Sequence, residues 1–382
     1  MLKLGTRSFA APVLLILIAL LVAEVAPGSD ASAGSQVRPK RYVTGWLPYW
    51  NPDAATNSVQ KNASVFADAS PFVFNAVSTH RIDLELSSDG WRQMRSALTS
   101  SGVPIIPTVA TDMSAADFAR IVRSPRRRAA QAHALVALVD KYQLAGIDLD
   151  YETINFGSSA DKATIRANYP LLIRAIDHRL NQRGAVTSVT VASRTSAKDP
   201  NWWVYDYKAL GLEADRVRIM TYDYSWSGGP AGPIAPKWWV RQVASYAASA
   251  ITPSKVSLGM PAYGRDWYVG TVSGRCPAGA KATVSRTTRQ MKQFAHSIGK
   301  SPQWRQHATS QYFTYQKTYR SGDRRCTVQR AAWFDDAKSL NAKVPLVHRF
   351  GLRGIAIWAL GNEGAGTWTQ LTSYGRQLAR AK

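Results

Sequence analysis

The sequence predicts an α/β fold, specifically a (β/α)8 or TIM barrel, and two observations support this. Eight short runs of apolar and β-branched residues occur along the chain, and amphipathic helical segments separate them. Nearly continuous apolar character is expected of parallel strands that are buried on both faces. Eight strands alternating with helices favour a closed barrel over an open, doubly wound sheet.

Each predicted strand is a short run that ends in a polar or aromatic residue. The predicted strands are, in order, Val43–Leu47, Phe72–Val77, Ile105–Thr108, Gly146–Tyr151, Ser188–Ala192, Val217–Thr221, Val256–Pro261 and Gly354–Trp358. The segments between them carry a single apolar stripe, for example Leu135, Leu138 and Tyr142, whose spacing of three and four residues is typical of an amphipathic helix.

One interval interrupts this alternation after the seventh strand. Residues 265–331 contain both cysteines of the chain, several aromatic residues and stretches of alternating polarity such as Gln311–Thr318. We therefore predict an inserted α+β subdomain between the seventh and eighth strands. A long disordered loop is the alternative, and the aromatic residues argue against it.

The amino terminus has the features of a secretory signal peptide. Lys3 and Arg7 precede the apolar run Phe9–Ala23, and the small residues Ala31–Ala33 follow it. An uncleaved anchor is the alternative, although the run is shorter than the roughly 20 residues of a spanning helix. The expected division of the chain is signal peptide 1–33, basic linker 34–41 and catalytic barrel 42–382.

The predicted signal peptide also bears on the location of the protein and on the oxidation state of its cysteines. The protein is expected to be secreted, and to be extracellular or associated with the cell wall. Outside the cell thiols are readily oxidised, so we expect Cys276 and Cys326 to form a disulfide bond.

The charge of the chain is strongly positive. It has 48 Lys and Arg residues against 25 Asp and Glu residues, a formal net charge of +23 over 382 residues. This charge favours anionic partners, among them acidic cell-wall polymers. No nucleic-acid module, phosphate loop or metal-ligand spacing accompanies it in the sequence, so we expect no nucleic acid, metal or cofactor. We expect a monomer.

The most informative segment is the predicted fourth strand with its extension to Glu152. Alternate residues of a strand face the same way, so Asp148, Asp150 and Glu152 share the face that points into the barrel. Carboxylates so close together cannot all ionise freely, and at least one pKa must rise. Glu152, nearest the catalytic end, would keep its proton as a general acid for glycoside cleavage. The pattern alone also fits an exposed edge strand or a Mg²⁺ or Ca²⁺ site.

Four segments in order resemble the motifs of one family, glycoside hydrolase family 18, the chitinase-like barrels. Leu144–Glu152 resembles the family's D-x-x-D-x-D-x-E signature, and Met220–Asp223 is similar to its M-x-Y-D motif. Gly259–Arg265 is similar to G-x-P-x-Y-G-R, and Gly354–Trp358 resembles the eighth strand with its substrate-floor tryptophan. The resemblance covers Val43–Arg380.

The resemblance implies a retaining glycosidase that cleaves β-1,4 linkages of an N-acetylglucosamine-containing polysaccharide, chitin or peptidoglycan, with the help of the substrate's acetamido group. It implies that Glu152 protonates the glycosidic oxygen and that Asp150 orients the acetamido N–H, with Asp148 behind it. Tyr222 would bind the acetamido oxygen, and Trp358 would stack beneath the sugar.

Six further residues near strand ends are predicted to bind substrate. The aromatic ones are alternatively caps of the barrel, and the last is alternatively a salt-bridge partner. They are Trp46, Tyr49, Asp223, Tyr263, Arg265 and Glu363.

The sequence departs from the family pattern at two places. Ala145 occupies the position of the first signature Asp, and Ile105–Met113 lacks the S-x-G-G run of typical chitinases. The chain lacks the S-x-G-G run and has a W-x-L-G run at Trp358–Gly361. In these two respects it resembles the bacterial branch of the family that lyses spore cortex and peptidoglycan. Two alternative functions remain at this point: a non-catalytic carbohydrate-binding relative, and a two-carboxylate glycosidase acting on unacetylated glucan.

Overall fold

The structure is a computed structural model that describes residues 40–322 and 324–380. The predicted signal peptide and most of the predicted linker lie outside the described residues. The strands are β1 (Val43–Pro48), β2 (Ser70–Ala76), β3 (Ile82–Leu84), β4 (Thr108–Thr111), β5 (Gly146–Asp150), β6 (Val186–Ala192), β7 (Arg216–Met220), β8 (Val256–Pro261), β9 (Tyr263–Ser273), β10 (Val284–Thr287), β11 (Gln303–Arg305), β12 (Ser310–Ser321), β13 (Arg324–Phe334) and β14 (Gly354–Trp358). The α-helices are α1 (Pro52–Lys61), α2 (Ser88–Ser100), α3 (Ala115–Arg123), α4 (Pro125–Tyr142), α5 (Ser159–Asn181), α6 (Tyr207–Glu213), α7 (Lys237–Ala250), α8 (Thr288–Ser297), α9 (Ala337–Lys343), α10 (Pro345–Arg349) and α11 (Thr367–Arg380).

Eight parallel strands close into a barrel. Their order is β1-β14-β8-β7-β6-β5-β4-β2, and pairing between β1 and β2 completes the ring. The short strand β3 adds to β2 in the antiparallel direction. The predicted fold class is confirmed.

The barrel strands are buried along their length because helices cover the outer face. All residues of β8 are buried, which explains why it reads as a nearly continuous apolar run. All residues of β5 are buried as well, although Asp148 and Asp150 alternate with its apolar residues. Gly146 begins β5 because the neighbouring strand approaches closely. A Cβ added there would lie 2.2 Å from the Val186 carbonyl oxygen.

The third barrel strand lies further along the chain than predicted. The prediction was Ile105–Thr108, whereas β4 runs from Thr108 to Thr111, and Ile105 forms only an isolated bridge to Ala69. Pro107 explains the difference because proline has no N–H to give to a strand ladder. Regular pairing therefore begins after it.

The predicted α+β insertion is present between β8 and β14. Strands β9 to β13 form an antiparallel sheet in the order β10-β9-β13-β12-β11, and α8 packs against it through a core that includes Met291, Phe313 and Phe334. The Cys276–Cys326 disulfide bond links the loop after β9 to β13. Among the described helices, none is both long and apolar enough to cross a bilayer.

Candidate active site

A cleft opens at the carboxyl ends of the barrel strands, where β/α barrels place their active sites. One of its two cavities has a volume of about 390 Å³. The barrel and the insertion both contribute to its walls. The lining residues are Asp150, Glu152, Met220, Tyr222, Asp223, Tyr263, Arg265, Ser285, Arg286, Thr287, Gln290, Trp358 and Asn362.

Asp148 lies inside the barrel below this cleft and is fully buried. Its Oδ1 accepts a hydrogen bond from Ser188 at 2.5 Å, and its Oδ2 accepts from Thr108 at 3.0 Å and from Thr190 at 2.9 Å. The Arg218 Nη1 atom is 3.3 Å from the same Oδ2. Each of these groups carries a donor, so both oxygens of Asp148 have partners inside the barrel.

Asp150 is the next inward-facing residue of β5 and reaches the cleft. It is 5% exposed, and within residues 40–322 and 324–380 its Oδ1 has no hydrogen-bond partner. Burial, the Glu152 carboxylate and the Asp148 carboxylate together hold the pKa of Asp150 well above its ordinary value, while Arg218 acts in the opposite direction. Asp150 therefore presents an unused acceptor to whatever occupies the cleft.

Glu152 follows the end of β5 and starts the short 3-10 turn Thr153–Phe156. Thr153 donates from its hydroxyl to the Met113 carbonyl at 2.7 Å, which ties this turn to the loop after β4. Glu152 is accessible from the cleft, yet the cleft walls remove much of the water that would stabilise its charge. This desolvation, followed by the negative charge of Asp223, raises the pKa of Glu152. The arrangement favours a protonated carboxylic acid facing the cleft.

Tyr222 stands beside the acidic residues at the end of β7. Burial and the nearby Asp150 hold the pKa of Tyr222 well above its usual value, so the phenol keeps its proton and can donate it in a hydrogen bond. Gly259 on β8 makes room for the ring, because a Cβ there would lie 2.9 Å from Tyr222 Cε1.

Asp223, Tyr263 and Arg265 form a brace on the cleft wall. Tyr263 donates its hydroxyl proton to Asp223 Oδ1. Arg265 binds both oxygens of Asp223, with Nη2 2.9 Å from Oδ2, and also donates to the Ser225 carbonyl at 3.3 Å. The charge of Arg265 is therefore neutralised by Asp223.

Trp358 lines the cleft at the end of β14 and rests on other aromatic rings. Its ring centroid is 5.4 Å from that of Phe72, 5.8 Å from that of Trp46 and 6.1 Å from that of Trp50. Trp46 is fully buried and supports the Trp358 ring. The predicted substrate-binding role of Trp46 does not fit this position. Tyr49 lies outside the cleft lining and packs edge-on against Trp50 at 4.9 Å.

Glu363 also lies away from the cleft. It is 5% exposed, and its Oε2 accepts hydrogen bonds from Ser58 at 3.0 Å and from the Gly361 N–H at 2.9 Å. Burial raises the pKa of Glu363 to about 7. The predicted substrate-binding role does not fit this position, because the carboxyl group holds the turn after β14. Its neighbour Asn362 faces the cleft instead.

Comparison with known proteins identifies the family. Residues 48–363 match the family described as Glycosyl hydrolases family 18. The chain belongs to this family. The predicted family is thereby confirmed.

Two curated relatives of this family 18 chain come from Bacillus subtilis. A cortical fragment-lytic enzyme is 30% identical over 234 residues, which cover 61% of this chain and 50% of the relative. An uncharacterized glycosylase is 28% identical over 236 residues, which cover 61% of this chain and 62% of the relative. The matched region thus spans less than two thirds of either relative.

Solved structures share the family 18 fold. A chitinase from Chromobacterium violaceum superimposes with a TM-score of 0.73 at 21% identity, covering 90% of this chain and 100% of the other. The spore cortex-lytic enzyme SleL of Bacillus cereus gives a TM-score of 0.71 at 23% identity, covering 87% and 74%. At these identities the likeness establishes the fold.

A second cavity of the family 18 cleft adjoins the first at Glu152. It has a volume of about 470 Å³ and shares Glu152, Tyr222 and Asp223 with the first cavity. Phe156 and Trp226, both exposed, are among its lining residues. The two cavities therefore meet at Glu152, Tyr222 and Asp223.

Several lining residues were absent from the predictions. Trp226 follows the M-x-Y-D motif closely, and this proximity is a signal that could have found it. Arg286 and Gln290 belong to the insertion, and no sequence signal places that part of the chain at the cleft. Within the described part of the chain, no group of three or more His, Cys, Asp or Glu side chains is arranged to hold a metal ion.

Proposed function

We propose that the protein is a secreted glycoside hydrolase that cleaves β-1,4 linkages next to N-acetylglucosamine in chitin or peptidoglycan, by substrate-assisted retaining catalysis. One observation carries the proposal. Among the described residues, the buried Asp150 has no hydrogen-bond partner for its Oδ1. It ends β5, two residues before Glu152, and shares its cavity with Glu152, Tyr222 and Trp358.

The first step transfers a proton and forms a ring. Glu152, whose pKa is raised by its surroundings, donates its proton to the glycosidic oxygen. As the bond from the anomeric carbon to that oxygen breaks, the acetamido carbonyl oxygen of the same sugar attacks the anomeric carbon and forms an oxazolinium ion. Asp150 accepts the acetamido N–H, and Tyr222 donates to the acetamido oxygen. Trp358 forms the floor beneath the sugar.

The second step returns the site to its starting state. The Glu152 carboxylate takes a proton from a water molecule, whose oxygen attacks the anomeric carbon and opens the oxazolinium ring. The product keeps the configuration of the substrate. Asp148 contacts no substrate in this scheme. It is a positioning residue that keeps a negative charge below Asp150, held by donors from three neighbouring strands.

The test uses release of a fluorescent aglycone from a chitobiose conjugate. We expect Glu152→Gln and Asp150→Asn to lose at least a hundredfold in kcat, in keeping with the ~10²–10⁴-fold effect of general acid–base groups. Asp89→Asn, which removes an exposed carboxylate on α2, is the matched control and should change nothing. An N-acetylglucosamine thiazoline, which mimics the oxazolinium ion, should inhibit the wild type.

Two results would overturn the proposal. Equal background rates for wild type and Glu152→Gln would indicate a carbohydrate-binding protein without turnover. Activity on unacetylated glucan without sensitivity to the thiazoline would indicate a two-carboxylate mechanism.

We further propose that the positive charge keeps the secreted enzyme on anionic cell-wall polymers. The net charge of +23 supports this, as do the exposed side chains of Arg123, Arg126 and Arg127 at the junction of α3 and α4. Binding to purified walls should weaken as ionic strength rises. Retention that does not change between low and high salt would contradict the proposal.

A further inference from the structure

The insertion places a cation in the cleft that the proposed reaction does not use. Arg286, on β10, lines the same cavity as Glu152 and Trp358. Its side chain is 20% exposed. The second cavity, which Glu152 and Phe156 help to line, does not include Arg286.

The Arg286 guanidinium is held in position from two sides. Its Nη1 lies 3.0 Å from Asp266 Oδ2, and its central carbon lies 4.1 Å from the centroid of the Phe294 ring. Among the described residues, the other N–H groups of Arg286 have no protein acceptor. A guanidinium fixed in this way loses little conformational entropy when it binds a ligand.

The charges around Arg286 leave a positive charge facing the cleft. Asp266 is buried and already binds Arg330, whose Nε is 2.8 Å from Oδ1, and the Tyr315 hydroxyl, which donates to Oδ2 at 2.6 Å. One carboxylate therefore faces two guanidinium groups. Arg265, the other arginine lining the cleft, is by contrast neutralised by Asp223.

We propose that Arg286 binds a carboxylate carried by an N-acetylmuramic acid residue on the insertion side of Glu152, so that the substrate is the peptidoglycan glycan strand and not chitin. The inference rests on the proposed function. Chitin is uncharged along its length, whereas every second sugar of peptidoglycan bears a lactyl carboxyl group. This group is either free or joined to a peptide that has carboxylates of its own. Guanidinium groups bind carboxylates through strong, charge-assisted hydrogen bonds.

The experiment compares kcat/KM on chitin oligomers with kcat/KM on peptidoglycan glycan oligomers, with and without their peptides. We expect Arg286→Gln to lose at least tenfold on the muramic acid substrates and less than twofold on chitin oligomers. Arg286→Lys keeps the positive charge and should retain part of the wild-type kcat/KM on the muramic acid substrates. Arg289→Gln, which removes the same charge from an exposed position outside the cleft lining, is the matched control. It should leave kcat/KM unchanged on both classes of substrate.

A chemical arm keeps the test independent of folding of the variants. Reduction of the lactyl carboxylate to an alcohol should cost the wild type at least tenfold on peptide-free oligomers and should cost Arg286→Gln much less. A larger loss for Arg286→Gln on peptide-free strands assigns the lactyl carboxylate, and a larger loss on peptide-bearing strands assigns a peptide carboxylate.

Two outcomes count against the inference, and they are distinguishable. Equal losses by Arg286→Gln on chitin and on muramic acid substrates would show that Arg286 only supports the cleft wall. A wild type that hydrolyses none of these glycans and ignores the thiazoline would overturn the proposed function and this inference with it.

Discussion

Replacing Gly259 by alanine tests whether catalysis depends on the room that β8 leaves for Tyr222. The new Cβ would lie 2.9 Å from Tyr222 Cε1, about 0.5 Å closer than the 3.4 Å at which ordinary contact begins. It would also lie 2.7 Å from the Ile219 carbonyl oxygen, which belongs to the backbone of β7. Both the ring and the strand that carries it must therefore move.

The expected size of the effect follows from these distances. Misplacing a catalytic group by up to 1 Å costs as much as about 100-fold in rate, so we expect kcat/KM on the chitobiose conjugate to fall by roughly ten- to a hundredfold. Overpacking a core position costs about 1–3 kcal/mol, which should appear as a lower free energy of unfolding in urea.

A matched glycine provides the control for this experiment. A Cβ added at Gly270, on β9, would meet nothing within 4 Å, so Gly270→Ala should alter neither kcat/KM nor stability. A folded Gly259→Ala protein whose kcat/KM stays within twofold of wild type would refute the reasoning, because Tyr222 would then not need its present position.

Three further predictions concern charge and cross-linking. In the proposed mechanism Glu152 acts in its protonated form, so activity should fall as pH rises through its raised pKa. Asp223→Asn removes a negative neighbour and should move this fall to lower pH, and an unmoved pH profile would contradict it. Burial raises the pKa of Glu363 from 4.5 to about 7, so the folded state binds a proton that the unfolded state has lost, and stability decreases across that range by on the order of 3 kcal/mol. Glu363→Gln should therefore gain stability relative to wild type between pH 5 and pH 8 in urea titrations, and a constant difference would argue against this assignment. Replacing Cys276 and Cys326 by serine opens a loop with a sequence separation of 50, worth about 4 kcal/mol in the chain-entropy model, and should make the insertion the first site of proteolysis. Equal protease resistance with and without the bond would count against that expectation.

The barrel was predictable because its strands are buried on both faces and read as apolar runs. The alternation of Asp148, Asp150 and Glu152 also predicted correctly that Asp150 and Glu152 face one cleft, with Asp148 below. The third strand was misplaced because apolar character outweighed the missing N–H of Pro107, which was visible in the sequence.

The sequence did not predict the burial of Trp46, nor that Arg286 lines the cleft. A position near a predicted strand end does not tell whether a ring is exposed or buried. Trp46 is fully buried within β1, with the Arg218 guanidinium carbon 5.9 Å from its ring centroid. Arg286 reaches the cleft because β10 pairs with β9, with Arg286 opposite Gly264. That register depends on contacts between distant parts of the chain, which the local pattern does not contain.

Only Ala262 separates the last residue of β8 from the first residue of β9. The first residues of the insertion therefore also belong to the wall of the cleft, since Tyr263 and Arg265 bind Asp223 from there. Anyone who exchanges this module between related enzymes must place the first splice point after Arg265. A junction placed directly at the end of β8 would discard the groups that hold Asp223 in the wall of the cleft.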